Sequence, residues 1–238
     1  MIPDCYLYLV VDLACLAFPL FFSFFKKFYF INQIKRFAVG SALTGSFFII
    51  WDILFTAKGV WSFNPRYLCG IYFFNLPIEE VLFFFFIPYA SVFTWFCMQT
   101  LTSVSKYNSK MRWIAYVLGG ALFFFAFFHL PQLYTSVTFA LTGLALLLVG
   151  FKNPDWTSAF FLAFILILIP FFISNGILTG AFTDEPVVLY NDHYNLGIRM
   201  VTIPVEDTFY GMLLILGNIA GFHIKTQRLW GLIHNNYH

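Results

Sequence analysis

Long apolar stretches separated by short polar ones dominate the hydrophobic pattern of this chain. Several of them reach roughly 18 residues or more, the length that a helix needs to cross a bilayer. The pattern predicts seven such spans, in chain order 5–25, 37–57, 77–99, 113–129, 132–150, 156–178 and 204–223. The chain is therefore expected to be an all-α, polytopic membrane protein with seven transmembrane helices, forming a single membrane domain over residues 1–238.

The composition supports this class of protein. Of 238 residues, 61% are hydrophobic and only 10% are charged, whereas about a quarter of the residues in soluble domains are charged. No run of Lys or Arg suggests a nucleic-acid partner. The N-terminus has no basic region and no small-residue cleavage site, so the first apolar run is expected to remain as an anchor. The four cysteines form no Cys-x-x-Cys motif and are interpreted as small apolar residues.

Basic residues between the spans predict the orientation in the cell membrane. Ten of the thirteen lie on one side, which is expected to be cytoplasmic. The N-terminus is therefore predicted to be outside and the C-terminus cytoplasmic. The ten are Lys26, Lys27, Lys35, Arg36, Lys106, Lys110, Arg112, Lys152, Lys225 and Arg228, and the other three are Lys58, Arg66 and Arg199.

One motif occurs twice, at residues 70–80 and 197–207. Each copy contains a glycine, then a proline, then two adjacent carboxylates before a long apolar run, and an offset of 127 aligns Pro77 with Pro204. Spans 3 and 7 are four apart, so both copies begin at the same face of the membrane. The sequence therefore predicts a parallel 3+1+3 repeat. Repeat one is 1–100 with spans 1–3, the linker span is 101–130, and repeat two is 131–238 with spans 5–7.

The paired carboxylates at the starts of spans 3 and 7 are the main candidates for chemistry. The helix dipole favours an acid in a first turn by about 0.3–1 kcal/mol, which does not explain two adjacent acids in both copies. Neighbouring helix residues point about 100° apart, so one acid of each pair can face a shared cavity. Carboxyl groups held close together can supply both an acid and a base. The largest effects of substitution are expected at Glu80 and Glu206; the other two acids are Glu79 and Asp207.

The loops before the two pairs, 58–76 and 179–203, are long and aromatic. They are expected to fold back as lids over the helix ends; the alternative is a pair of interfacial belts, where Trp and Tyr gather. Asp52, near the outer end of span 2, could reach the same site, whereas Asp12 has no counterpart at the 127 offset. Aromatic faces attract cations, so a bundle with 35 Phe, 13 Tyr and 6 Trp suits chemistry that passes through a carbocation.

Several other classes of membrane enzyme lack their motifs here. There is no histidine box for a di-iron oxygenase, no Asp-rich motif for magnesium diphosphate and no Gly-x-Gly-x-x-Gly for a dinucleotide. Span 7 contains no lysine for a retinal Schiff base. His129 is interpreted as a hairpin residue. No metal site and no cofactor are expected.

The motifs Pro77-Ile-Glu-Glu80 and Pro204-Val-Glu-Asp207 resemble the paired PxE(E/D) motifs of the non-flavin carotenoid cyclases. These are lycopene cyclases that occur as two small subunits or as one fused chain. Further matches are Trp51-Asp52, Gly59-Val-Trp61, residues 175–180 and Tyr190-Asn191, so the resemblance extends from about residue 5 to 223. It implies lycopene β-cyclase activity in carotenoid biosynthesis: an intramolecular lyase, or isomerase, that closes the ψ-end groups of lycopene to β-ionone rings, forming β-carotene. The implied reaction is redox-neutral and needs no flavin.

In that reading Glu79, Glu80, Glu206 and Asp207 carry the proton chemistry. The candidates for substrate binding are Trp51, Asp52, Trp61, Asn64, Tyr72, Asn191, Tyr194 and Arg199. The expected partners are lycopene and other C40 carotenoids, membrane lipid and other carotenoid-pathway enzymes, with no nucleic acid. Two alternatives remain open. Related proteins act as carotenoid hydratases or make other ring types, and a proton-coupled small-solute transporter would also fit a parallel repeat and the dipeptide Pro131-Gln132.

Overall fold

The computed structural model describes residues 3–224, and helices account for most of them. The seven α-helices within this range are α1 Leu7–Phe22, α2 Ile34–Ala57, α3 Ile78–Leu101, α4 Asn108–Phe128, α5 Leu133–Lys152, α6 Thr157–Leu178 and α7 Val205–Phe222. Six of them, α1 to α6, are long and apolar enough to cross a membrane, when α1, α2 and α4 are extended by the short turns that precede them. The chain is thus mostly helical, with the helices of an integral membrane protein, as the apolar pattern predicts.

Helix α7 is not among the six. Its first turn contains Glu206 and Asp207 and its second half contains Asn218, and these polar side chains lower its hydropathy. The count of seven spans and the 3+1+3 arrangement therefore stay predictions. Two of the basic residues used to predict the orientation, Lys225 and Arg228, lie outside the described residues.

Short strands and single helical turns occupy the connections. The strands are β1 Trp61–Phe63, β2 Tyr72–Phe73, β3 Leu76–Pro77, β4 Val188–Tyr190, β5 Arg199–Met200 and β6 Ile203–Pro204. The single 3-10 turns are Asp4–Tyr6, Phe30–Gln33, Pro65–Tyr67, Val104–Tyr107 and Asp192–Tyr194.

The two long loops pair with each other across the ends of the helices. Strand β1 runs antiparallel to β4, with Trp61 opposite Tyr190. Strands β2 and β3, and likewise β5 and β6, form hairpins directly before α3 and α7. The prediction that the loops fold back as lids is confirmed, and the pairing of one loop with the other is a feature that the sequence did not indicate.

The two copies of the motif adopt the same backbone conformation. Phe74 and Val201, which the 127 offset aligns, are both left-handed, with φ of 55° and 62°. This region is uncommon for a residue other than glycine, and unusual for a β-branched one. Gly70 and Gly197 also correspond and also have positive φ, 83° and 67°. Each copy therefore builds the same tight hairpin at the start of an acidic helix.

The helices that carry the acid pairs lie at the centre of the bundle. Helix α3 packs against α1 and α6, and α7 packs against α5 and α2, while α4 runs along α5. Helices α2 and α7 approach closely because Gly40 faces Gly221, where an added Cβ would lie 2.5 Å from the Cα of Gly40. Small residues permit such close packing between membrane helices. This packing brings the first turns of α3 and α7 near each other at one end of the bundle.

Candidate active site

Each carboxylate pair divides into one residue that holds the loop and one that faces a cavity. Glu79 accepts a hydrogen bond from the backbone N–H of Cys69 at 2.7 Å. Glu206 accepts one from the backbone N–H of Leu196 at 2.8 Å and a second from Thr135 at 2.6 Å. Both side chains are fully buried. The first acid of each pair therefore ties the loop ahead of the hairpin to the start of its helix.

The second acid of each pair, Glu80 and Asp207, lines one shared cavity of about 710 Å³, within the size range of small-molecule sites. Tyr8 donates to Glu80 at 2.6 Å. Asp207 accepts from Tyr134 at 2.6 Å, Tyr190 at 2.8 Å and Asn175 at 3.0 Å. One acid of each pair thus faces the cavity, as the 100° angle between neighbouring helix residues predicts. Glu206, where one of the two largest effects of substitution was expected, does not line the cavity, because the rotation of α7 turns its side chain toward Leu196 and α5.

Two further carboxyl groups lie next to Glu80. Asp52, in α2, accepts a hydrogen bond from Tyr210 at 2.7 Å and its carboxyl group is within hydrogen-bonding reach of Glu80. Two carboxylates this close repel each other strongly when both are charged. Asp12, in α1, is also buried close to Glu80, and neither of its oxygens has a hydrogen-bond partner among the described residues.

Aromatic rings form the wall of the cavity around the carboxyl groups. The ring centroid of Trp61 lies 5.1 Å from that of Tyr134 and 6.3 Å from that of Tyr210, and Tyr134 stacks on Tyr190 at 6.0 Å. Tyr190 lies on β4, outside the helices, and burial together with the charge of Asp207 raises the pKa of its phenol well above its usual value. The phenol therefore stays protonated and remains a hydrogen-bond donor to Asp207.

The structure brings only some of the predicted binding residues to this cavity. Asp52 and Trp61 line it. Trp51 does not: it is buried in α2 and packs against Phe48, Phe55 and Tyr210.

The other five predicted binding residues lie in the loops, away from the cavity lining. Asn64 and Asn191 accept hydrogen bonds from the backbone two residues later and so cap their 3-10 turns. Tyr72 is half exposed on β2, and Tyr194 packs beside the buried cluster around Trp51. Arg199 forms an ion pair with Asp192. None of the five lines this cavity, and a polar residue in a loop can serve the turn itself. Their role in substrate binding stays a prediction.

Sequence reasoning missed four of the side chains that hold the carboxyl groups: Tyr8, Tyr134, Tyr210 and Asn175. Asn175 begins the stretch 175–180 that resembles the family, and a signal for two of the others was also present. Tyr8 and Tyr134 are 126 residues apart, one less than the offset of the motif, so a search that allowed a one-residue shift would have paired them. Among residues 3–224 no group of three or more His, Cys, Asp or Glu side chains is arranged to hold a metal ion.

Comparison with known proteins agrees with this arrangement. The family model described as Lycopene cyclase matches the chain twice, at residues 5–98 and 131–224. The first segment contains α1, α2 and most of α3, and the second contains α5 to α7, each with its tyrosine, hairpin and acid pair. No curated protein and no solved structure is similar enough to count as a match. Together the two segments cover well over half of the residues, and the chain therefore belongs to the lycopene cyclase family.

Proposed function

We propose that this protein is a lycopene β-cyclase that closes the ψ-end groups of lycopene to β-ionone rings, without a change in redox state and without a flavin. The observation that supports this most directly is the pairing of unlike acid sites in one aromatic cavity. Glu80 lies against a second carboxyl group, Asp52, whereas Asp207 is surrounded by three neutral donors. An acid and a base for one substrate end are thus present together.

The proposed reaction begins with proton transfer. The proton that Glu80 and Asp52 share is donated by Glu80 to the terminal double bond of the polyene, and the resulting cation is attacked by the neighbouring double bond, which closes a six-membered ring. Asp207 then removes one proton from the ring carbon next to the cationic carbon, and the electrons of that C–H bond form the double bond of the ring. One proton is gained and one is lost, so the product is an isomer of the substrate. General acid–base catalysis of this kind typically contributes about 10²–10⁴-fold.

The surroundings of the carboxyl groups suit the carbocation between these two steps. Trp61, Tyr134, Tyr190 and Tyr210 present aromatic rings at the end of the cavity that contains Glu80 and Asp207. The face of an aromatic ring stabilises a desolvated cation by up to about 2 kcal/mol. Tyr8, Tyr134 and Asn175 act as positioning residues, because each fixes a carboxyl group by a hydrogen bond.

The topology that goes with this function is also a proposal. The proposed protein has one membrane domain of seven spans, in which spans 1–3 and spans 5–7 are arranged in parallel around a linker span. This arrangement would place both acid pairs near the outer face and the C-terminus in the cytoplasm. A tag at the C-terminus should be reachable only after the cells are opened. A tag inserted near Asp184, which is exposed in the loop before β4, should be reachable in intact cells. The reverse pattern would contradict this orientation.

The proposed activity is tested with purified protein in lipid vesicles that contain lycopene. We expect β-carotene, identified by chromatography and absorption, with no flavin or nicotinamide added, and the same yield when a metal chelator is present. Unchanged lycopene would contradict the proposal. A hydrated product, or a product with another ring type, would keep the protein in its family and refute the specific reaction.

A further inference from the structure

The walls of the cavity are shared unequally by the two halves of the molecule. Helices α1 and α6 supply half of the lining residues, whereas their counterparts α5 and α2 supply only Tyr134 and Asp52. The cavity therefore lies to one side of the bundle, between α1 and α6. These two helices also touch each other little, since both pack mainly on α3.

Several residues of this wall also face the outside of the bundle. Phe18 in α1 and Ile173 in α6 both line the cavity, yet they are 66% and 57% exposed. Ala14 likewise lines the cavity and is exposed. A side chain that borders a cavity and is exposed on the outer surface marks an opening. Phe18 is ten residues beyond Tyr8, about 15 Å along the helix axis, whereas Ile173 is two residues before Asn175, which donates to Asp207. The opening therefore extends from the level of the carboxyl groups into the apolar stretch of α1.

The corresponding gap in the other half is filled. Asp52 and Asn175 each lie beside the cavity-facing acid of their own half, Glu80 and Asp207, so the residues before them, Trp51 and Ser174, also correspond. Trp51 is 5% exposed, and its ring lies 5.1 Å from Tyr210 and 5.5 Å from Phe48, in a cluster that also includes residues of α5. Ser174 lines the cavity instead. A large indole closes one side of the molecule, and a small hydroxymethyl group leaves the other side open.

The size of the cavity bears on what passes through this opening. Its lining along α3 extends from Glu80 to Thr94, fourteen residues or about 21 Å. An extended C40 polyene is about as long as the bilayer core is thick, roughly 30 Å. A polyene of this length is not contained in the cavity when one end lies at Glu80, so the remainder must leave through an opening whose walls are apolar.

We propose that the opening between α1 and α6 is the entrance through which one end of a linear C40 polyene passes from the lipid to Glu80 and Asp207. This inference rests on the proposed function and adds the route and the order of events. The acid sites of both halves line one cavity, so the two ends of the substrate are processed in turn. Between the two steps the monocyclic intermediate withdraws into the lipid and returns with its other end first.

The first test narrows the opening from either side. Ser174→Trp places on α6 the indole that closes the other half, and Ala14→Trp does the same from α1. Matched controls are Phe172→Trp on α6 and Ala17→Trp on α1, both at exposed positions that do not line the cavity. We expect kcat/KM for lycopene to fall by about tenfold or more in the first two variants and to stay at the wild-type level in the controls. Equal activity in all four variants, or an equal loss in all four, would refute the entrance.

The second test measures occupancy without turnover, so it also decides the case in which the narrowed variants fail to fold. Cys15 lines the cavity, whereas Cys5, also half-buried, does not. In variants that retain only one of these two cysteines, saturating lycopene should slow the reaction of Cys15 with a membrane-soluble maleimide and leave that of Cys5 unchanged. Unprotected Cys15 in a protein that converts lycopene would refute the entrance and leave the proposed function standing. Protected Cys15 in a protein that does not convert lycopene would support the entrance and refute the reaction.

Discussion

Glu80 and Asp207 hold corresponding positions in the two halves of the molecule, yet their neighbours differ. Each accepts a hydrogen bond of 2.6 Å from a tyrosine in the first helix of its half, Tyr8 or Tyr134. Beyond this, Glu80 faces a second carboxyl group, Asp52, whereas Asp207 faces the amide of Asn175 at 3.0 Å.

The difference teaches how a repeated scaffold can carry an unsymmetrical reaction. Helix starts, hairpins and loop-to-helix hydrogen bonds are the same in both halves, so the two acids are placed alike. The two halves differ in the side chain that a neighbouring helix places beside the acid: a carboxyl group, Asp52, beside Glu80 and an amide, Asn175, beside Asp207. This difference changes what each acid can do. Two adjacent carboxyl groups repel each other when both are charged, whereas hydrogen bonds from neutral donors favour the charged form of a carboxylate. The following predictions test this contrast, from the largest expected effect to the smallest.

Removal of either cavity-facing acid should have the largest effect. In Glu80→Gln and Asp207→Asn the side chain keeps its shape but can no longer exchange a proton, so turnover should fall by about 10²-fold or more. Turnover is measured as β-carotene formed per folded protein in vesicles. Matched controls are the adjacent Glu79→Gln and Glu206→Gln, whose amide oxygen can still accept the backbone N–H and which should retain most of their activity. The assignment fails if a control variant loses as much as its neighbour.

Exchange of the neighbouring groups should have the next largest effect. Asp52→Asn removes the partner that holds a proton with Glu80, and Asn175→Asp adds a second carboxyl group beside Asp207. Each should lower turnover by about tenfold to 10²-fold and should change the pH profile of the reaction, since the number of titrating groups at the site changes. Profiles that match the wild type in both variants would show that the contrast between the halves has no role in catalysis.

Loss of one tyrosine should affect the halves unequally. A hydrogen bond to a charged group contributes about 1.5–3 kcal/mol, but Asp207 keeps Tyr190 and Asn175 when Tyr134 is replaced. Tyr8→Phe should therefore lower turnover by about tenfold, equivalent to about 1.4 kcal/mol, and Tyr134→Phe should lower it by less. Initial rates at saturating lycopene provide the measurement, and a larger loss in Tyr134→Phe would reverse the order proposed here.

Truncation of the loop-holding acids should change stability rather than chemistry. Glu79→Ala and Glu206→Ala each leave a backbone N–H in the loop without its partner, which costs about 1–3 kcal/mol for a buried group. The loss of stability should be larger for Glu206→Ala, because Glu206 also accepts a hydrogen bond from Thr135. The midpoint of thermal unfolding in detergent measures this loss. Unchanged unfolding midpoints together with lost turnover would show instead that these acids take part in the reaction.

Local patterns made parts of this structure predictable. Apolar runs indicated the six helices now seen to be long enough for a membrane, because the need to satisfy every backbone hydrogen bond within lipid leaves few alternatives to a helix. The acid pairs fall in the first turns of α3 and α7, where the prolines before them suggested that these helices begin. By contrast, the loop residues Asn64, Tyr72 and Arg199 do not line the cavity, since Asn64 and Arg199 bind other loop residues and Tyr72 is about half exposed.

The sequence by itself determined that the chain is mostly helical, that a motif with two adjacent acids occurs twice, and that only one acid of each pair can face a given direction. These follow from hydropathy and from the helical period, which are local. Only the tertiary structure decided that Asp207 rather than Glu206 faces the cavity, that Asp52 joins Glu80 while Asn175 joins Asp207, and that Trp51 closes one side while Ser174 leaves the other open. These depend on the rotation of each helix about its axis, which is set by packing against neighbours that are distant in the chain.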